Sequence, residues 1–509
     1  ARPPHSRRRM ACAAVCTLAP APGGGAGGAA TEAAISRVLG LLLLFAQLPV
    51  PDAHQGSDGD HGADLQDAGD GTKAAEDVKY VPGESVSYMM LGAVAYVMAL
   101  TYLVHWPNRE IRLLTWKLTS STTSIFISVM INTVFMEIVK HYLLRAIPGW
   151  VLAVVATFTV WLVVQVALFL GRKNHLACTS RSLIGGHLLG FTVLHVVGAT
   201  QERTEFSGSI WSAALVLPMF FAAWAAIGFV ASCIRGRVED RMTGSSRDEV
   251  ELKRQDRWED SCHESENDVA CITMGYLLTQ LVAFAITGEL PPMEGEPRHH
   301  SRVQNHLLFL VAFLFMVAVF AFEAAEHEGH GPVTRRLFAL VRGMLAMAMS
   351  WCWLFWGWWH LWWSVGMEEL LAKVTLACST SLFSAIMVFM LKKLADRNLL
   401  NPRALRAVIQ AFGLLIGLSW ERSFDAVMED LHPLGLRLLL AIGLALFTLP
   451  AWRLYILPKA LEKWRPEHND NPPSAASLCL SGEEDSTVSD EPLEDAKDAT
   501  PHSESDSDS

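Results

Sequence analysis

The chain has 509 residues, 51% of them apolar and 18% charged, with a net charge of −11. That charge sits at one end, because residues 466–509 hold thirteen Asp or Glu and a single basic residue, Lys497, and the remainder is close to neutral. A near-neutral body argues against a nucleic-acid partner, and apolar residues massed in solid blocks rather than 3.6-residue stripes argue against an ordinary soluble helical domain.

The N-terminal segment, 1–53, is signal-like. Thirteen apolar residues run from Val38 to Val50 behind Arg37, which is the proportion of a secretory h-region and too short for a comfortable membrane span. Pro51-Asp52-Ala53 is a poor cleavage site, so an uncleaved anchor stays open beside a cleaved signal. Residues 52–84 carry nine carboxylates against two lysines, and transit peptides are poor in acidic residues, so the secretory route is expected. Segment 54–84 is then lumenal or extracellular.

Eleven long apolar blocks follow, at about 85–106, 113–137, 148–170, 182–200, 208–233, 269–288, 305–325, 336–364, 371–391, 403–421 and 434–456. Each is long enough for an α-helix to cross the hydrocarbon core. The expected fold is therefore an all-α polytopic integral membrane protein, with the lipid bilayer as its first partner. The loops after the odd spans, with their flanks, carry nineteen Lys or Arg, including Arg172, Lys173, Arg335, Lys392 and Arg397, against about eight after the even spans. The positive-inside rule then places the N-terminus outside or lumenal and the C-terminus in the cytoplasm. A charged loop, 234–268, divides spans 1–5 (85–233) from spans 6–11 (269–457) and reads as a solvated linker, with a docking site as the alternative. Of the nine cysteines, none after the signal falls in a loop on the oxidising side, and no CxxC spacing is present. That excludes an extracytoplasmic disulfide framework.

The chain compared with itself gives two faint alignments. At an offset of 256, Lys117, Thr119 and Ser128 fall on Lys373, Thr375 and Ser384. Spans 1–4 would then match 8–11 as an inverted-topology repeat, an arrangement found in secondary transporters. A competing alignment puts Glu202-Arg203-Thr204 on Glu421-Arg422-Ser423 and pairs spans 4 and 10 in the same orientation.

Polar residues inside the spans are the candidate functional groups. On span 2, Lys117, Ser121, Ser124, Ser128 and Asn132 step by three or four residues and share one helix face. Lys373, Thr380 and Ser384 repeat the pattern on span 9. Such a stripe lines an aqueous path, its ammonium attracting an anion, or else glues helices together. Span 4 carries Gly186-x-x-x-Gly190 and span 10 Gly413-x-x-x-Gly417, the spacing of close helix packing. His187 and His195 lie two turns apart on span 4. Proton relay, a metal or haem ligand, and a bond to a neighbouring helix are all open for them.

Glu323 in FEAAEHEGHG, Glu421 in WERSF and Glu137 all stand near span ends, where solvation is the ordinary account, and the Glu and His of the first segment could hold a metal weakly. Span 8 carries WCWLFWGWWHLWW, seven tryptophans with His360. An interfacial belt explains some of them, but rings on every side of a helix require some to face protein. There Trp356, Trp359 and His360 could cage a cationic or aromatic ligand.

The C-terminal segment, 458–509, is Ser/Asp/Glu-rich and expected to be disordered. Ser481, Ser503 and Ser505 each precede an acidic residue by three, and phosphorylation there would act through a basic cytoplasmic partner. No motif of an ATPase, potassium filter, zinc protease or serine hydrolase is present. Cofactor and metal remain unassigned. The leading expectation is a secondary transporter or channel-like protein that moves a small solute or ion along a path lined by spans 2, 4, 9 and 10. The alternatives are an integral-membrane enzyme using His187, His195 and Glu421, and a non-catalytic scaffold.

Overall fold

The computed structural model describes residues 82–143, 149–243, 249–293, 301–325, 332–429 and 434–462. The signal-like segment, nearly all of the acidic segment after it and the acidic tail lie outside the described residues. Among those described there is no strand. Eleven helices are long and apolar enough to cross a membrane. They are α1 (Pro82–Val104), α2 (Arg109–Leu143), α3 (Gly149–Gly171), α4 (His175–Gln201), α5 (Ile210–Thr243), α6 (Glu249–Thr287), α7 (Arg302–Ala325), α8 (Pro332–Trp359), α9 (Glu369–Asp396), α10 (Pro402–Glu429) and α11 (Leu434–Ala451). α8 continues into a π-turn at His360–Ser364, and α11 into another at Trp452–Ile456.

Their ends follow local chemistry. Asn108 Oδ1 accepts from the N–H groups of Glu110 and Ile111 to start α2, and Asn174 accepts from Ala177 N to start α4. Pro402 occupies the first turn of α10, where a missing N–H costs nothing. Asn398, at φ 57°, stops the chain after α9. Inside the spans most hydroxyls return their proton to the carbonyl three or four residues back, as Thr115, Thr119 and Ser419 do, so they add little polarity to the helix surface.

The even-numbered helices form a closed ring, in which α2 packs on α4, α4 on α6, α6 on α8, α8 on α10, and α10 on α2. Contacts rise together along each of the last four pairs. Gly186 meets Ser265 and Gly190 meets Ile272; Gly343 meets Cys271 and Thr279 bonds the Ala348 carbonyl. Ser350 donates to Ala411 O while Arg422 covers Trp358, and Gly413 and Gly417 meet Ser121 and Ile125. These pairs are therefore parallel. The odd helices lie outside, α3 on α4, α5 on α6, α7 on α8, α9 on α10, and α1 and α11 on α2. Burial follows this division, with 83% of α10 and 72% of α6 inside the molecule against 11% of α1 and 17% of α5 and α11. The largest apolar cluster draws on all five ring helices through Ile125, Phe191, Ile272, Leu354 and Phe412.

Glycine is what lets the ring close. Both GxxxG pairs sit at ring interfaces, Gly186 and Gly190 against α6 and Gly413 and Gly417 against α2. Close backbone approach strengthens dispersion contacts that the lipid cannot supply.

Two expectations change in the structure. The packing does not carry the inverted correspondence of spans 1–4 with 8–11: α3 and α4 share a long interface, whereas α10 and α11 share no extended one. The parallel correspondence does not hold as a whole either: α2 on α4 matches α8 on α10 and α3 on α4 matches α9 on α10, but the α1–α9 interface has no extended counterpart between α7 and α3. The charged segment 234–268, expected as a solvated linker, is helix in all its described parts. Trp258 is buried there against Phe169, and Ser261 accepts from Cys178 and Ser182. Arg235 reaches from α5 to Glu266 on α6 at 2.6 Å with both side chains buried.

Further ion pairs tie neighbouring helices at the same end, where the even helices begin. Glu323 of α7 pairs with Arg342 of α8, and Lys392 of α9 pairs with Glu110 of α2 and with Asp396.

Candidate functional site

The polar stripe of α2 is used for packing. Ser124 Oγ lies 3.3 Å from His187 Nδ1, Ser128 donates to Ile184 O at 3.1 Å, and Thr192 donates to Asn132 Oδ1 at 2.8 Å. These bonds join α2 to α4. Ser121, one turn earlier, points instead at α10 and donates to Gln410 O. The shared face is therefore divided between two neighbours, because a helix in a ring has two interfaces a little over a right angle apart. Thr192→Val should cost about 0.6 kcal/mol, the usual worth of an intramembrane hydrogen bond. Its unfolding midpoint in detergent would check this, and a drop several times larger would give the Asn132–Thr192 pair more than a packing role.

Of the other sequence candidates, His195 is half-buried and stands two turns beyond His187, while Ser384 is fully buried with no acceptor or donor among the described residues. Lys117 is half-buried near the start of α2, close enough to Arg406 of α10 to feel its charge. The solvated account of the acidic residues near span ends fails for two of them. Glu323 is 4% exposed and Glu421 8% exposed: Glu323 is packed against α8 beside Arg342, and α10 runs on to Glu429, past the expected span end, so Glu421 stays within the packed bundle. Glu323 is bound by Arg342. The metal suggestion for FEAAEHEGHG falls largely on residues 326–331, outside the described residues. Among those described, no group of three or more His, Cys, Asp or Glu is placed to hold a metal.

What the fold does assemble is a charged and aromatic cluster at the far end of α8. Positions 351, 355 and 358 share one face of that helix, and 353, 356 and 360 another. On the first face Trp351 meets Tyr276 of α6 edge-on at 5.2 Å. On the second, Trp353 stacks on Phe412 of α10 at 5.6 Å, and Trp356 lies 4.4 Å from Phe309 of α7. His360 stacks on Trp356 at 5.4 Å and faces His306 at 5.9 Å. Trp359 is buried against Phe355. The run is thus mostly an interhelical core, and Trp356 and His360 do come together while Trp359 turns elsewhere.

Trp358 is the distinctive member. Its ring has Arg422 at 4.7 Å and Lys373 at 5.2 Å, both within cation–π range. Lys373 is buried and holds Glu369 at 2.7 Å, and Ser423 donates to Lys373 O, fixing α9 against α10. Glu421, the residue beside Arg422, is buried within reach of the charges of Asp425, Arg422 and Lys373. The Trp358 indole N–H meets no acceptor among the described residues.

Sequence reading had named Lys373 and Glu421 separately and missed Trp358 and Arg422. The signal available was the Trp-rich run itself, but period alone does not say which of seven rings meets a cation. The π-turn that ends the run, at His360–Ser364, is a feature often found beside functional sites.

At the loops joining α4 to α5 and α6 to α7 the surface opens into a cavity of about 770 Å³, walled by Glu202, Ser209, Phe284 and Glu289 among others. It lies at the same end of the ring as Trp358, the end where the even helices finish. The chain matches no protein family model, no curated protein and no solved structure, so its chemistry rests on this geometry.

Proposed function

We propose that this membrane protein is a secondary transporter or channel-like protein moving a small solute or ion. One observation carries the reading: Lys373 of α9 and Glu421 of α10 are both buried, each within reach of the other's charge, with Arg422 and Lys373 on the face of Trp358. Ionisable groups are expensive inside a membrane and are retained where they serve a path or a coupled charge. Two cations and an unclaimed indole donor at one ring favour an anionic solute, and Glu421 is the carboxylate placed to exchange a proton or cation against it.

The arrangement of closures supports the same reading. Interhelical ion pairs tie the helices toward the end where the even-numbered ones begin, whereas the Trp358 cluster lies toward the other end. The path is expected along α9 and α10, since the polar stripe of α2 is engaged in packing, with the N-terminus lumenal or extracellular and the C-terminus cytoplasmic. The enzyme reading gains no support, since His187 is engaged with Ser124 of α2 and its helix, α4, shares no extended interface with α10.

The test is uptake into proteoliposomes from a panel of small inorganic and carboxylate anions. Glu421→Gln and Lys373→Met should each lower uptake by about tenfold or more, the effect of losing about 1.4 kcal/mol at the limiting step. The variants should keep the wild-type unfolding midpoint. If wild-type vesicles accumulate no member of the panel faster than protein-free ones, the transport reading fails.

A further inference from the structure

Two helix N-termini stand side by side at the end of the bundle where the even helices begin. α2 starts at Arg109 and α10 at Pro402, and the two run parallel in contact. Each N-terminus presents roughly half a positive charge, which an acidic first turn would normally offset. Here α10 has no acidic residue in its first turn, and Glu110 of α2 is taken by Lys392.

Basic side chains gather on the same spot. α2 contributes Arg109 and Lys117, α10 contributes Arg403 and Arg406, and the end of α9 adds Lys393 and Arg397. Lys393, Arg397, Arg403 and Arg406 are exposed, and Lys117 lies within reach of the charge of Arg406. The acids nearby do not cancel this excess. Asp396 shares Lys392 with Glu110, and Glu462 sits 3.5 Å from Arg109. Cations at two helix N-termini raise each other's energy and that of the dipoles, so this patch is stabilised by whatever anion covers it.

The chain supplies that anion. Glu462, at Arg109, is the last described residue, so the C-terminal segment is joined to the fold at the edge of the patch. The 47 residues that follow carry thirteen carboxylates, all within 466–509, against Lys463, Arg465 and Lys497. The first of them, Glu467, is five residues beyond Glu462, a reach of about 17 Å when extended. A tether of this kind holds its carboxylates near the patch at roughly millimolar effective concentration.

We propose that residues 466–509 dock on the α2–α9–α10 basic patch as an intramolecular polyanion. The occupant is this segment rather than an anionic lipid surface, because it is tethered at the patch and its charge is the largest imbalance in the chain. Phosphate on Ser481, Ser503 or Ser505 tightens the contact by adding charge to the same segment.

Carbodiimide coupling, which joins lysine to carboxylate at contact distance, tests this on the full-length chain in bilayers of phosphatidylcholine. Lys392 with Glu110 or Asp396 is the internal control. Coupling of Lys117 or Lys393 to carboxylates of 466–509 is expected at low salt and should fall by about tenfold when salt shortens the screening length. Arg403→Glu with Arg406→Glu should abolish it and leave the control pair coupled. Absence of tail coupling at low salt, with the control pair formed, overturns the proposal. So does its disappearance in bilayers rich in phosphatidylserine, which would assign the patch to lipid headgroups; persistence there supports the intramolecular contact.

Discussion

Replacing Arg342 with leucine should destabilise the protein by about 3–5 kcal/mol, the cost of leaving a buried carboxylate without its partner. Glu323 on α7 is 4% exposed, and Arg342 is the cation paired with it across the α7–α8 interface. The double variant Arg342→Leu with Glu323→Leu should recover most of the loss, because an apolar pair of similar volume needs no desolvation. The readout is the unfolding midpoint of purified protein in detergent. A single variant no less stable than a substitution at an exposed position would show that the pair is not what joins these helices.

The same cut at Arg235 should cost less, although its ion pair is the more buried. Glu266 keeps His263 at 3.4 Å and Arg336 at 3.8 Å as alternative partners. The ordering of the two losses therefore tests the charge accounting itself, apart from the absolute size of either.

The second large effect is expected at Gly275. A Cβ there would lie 2.7 Å from Met347 Cβ and 2.9 Å from Ala348 N. One of those atoms is backbone, so no rotamer relieves the clash, and α6 and α8 must separate. Separation also breaks the bond from Thr279 to Ala348 O one turn on. Gly275→Val should therefore cost about 3 kcal/mol, the upper part of the range for overpacking. Gly236→Val on α5 is the control, since nothing lies within 4 Å of a Cβ built there. Equal midpoints for the two variants would remove the glycine contact as the reason the ring closes.

These two positions also show what could be read from sequence. Gly275 follows no GxxxG pattern, and no periodicity marks it, yet it makes as tight an approach as the patterned Gly186, Gly190, Gly413 and Gly417. The patterned pairs were legible because their spacing repeats one helical turn. Gly275 was not, because a single small residue becomes an interface only when a second helix arrives. Glu323 and Glu421 were visible as ionisable residues at span ends, but their burial depends on the neighbours packed against them, Arg342 of α8 for Glu323 and the α9–α10 contact for Glu421. The cluster around Trp358 required three helices to be placed before Lys373 and Arg422 could be seen on one ring.

Apolar block length alone determined that this chain forms helices suited to a bilayer and how many there are, since about 20 apolar residues in lipid must satisfy their backbone bonds internally. Charge composition alone determined that the C-terminal segment is a polyanion. Which helices meet was decided only by tertiary structure, because Ser, Thr, Gly and Trp are compatible with lipid, with a neighbour or with a path. The parallel ring of α2, α4, α6, α8 and α10 turned the polar stripe of α2 into hydrogen bonds to α4 and brought the N-termini of α2 and α10 together. It also buried Lys373 and Glu421 within reach of each other's charge. A one-dimensional pattern gives each helix its faces, and only packing assigns a partner to each face.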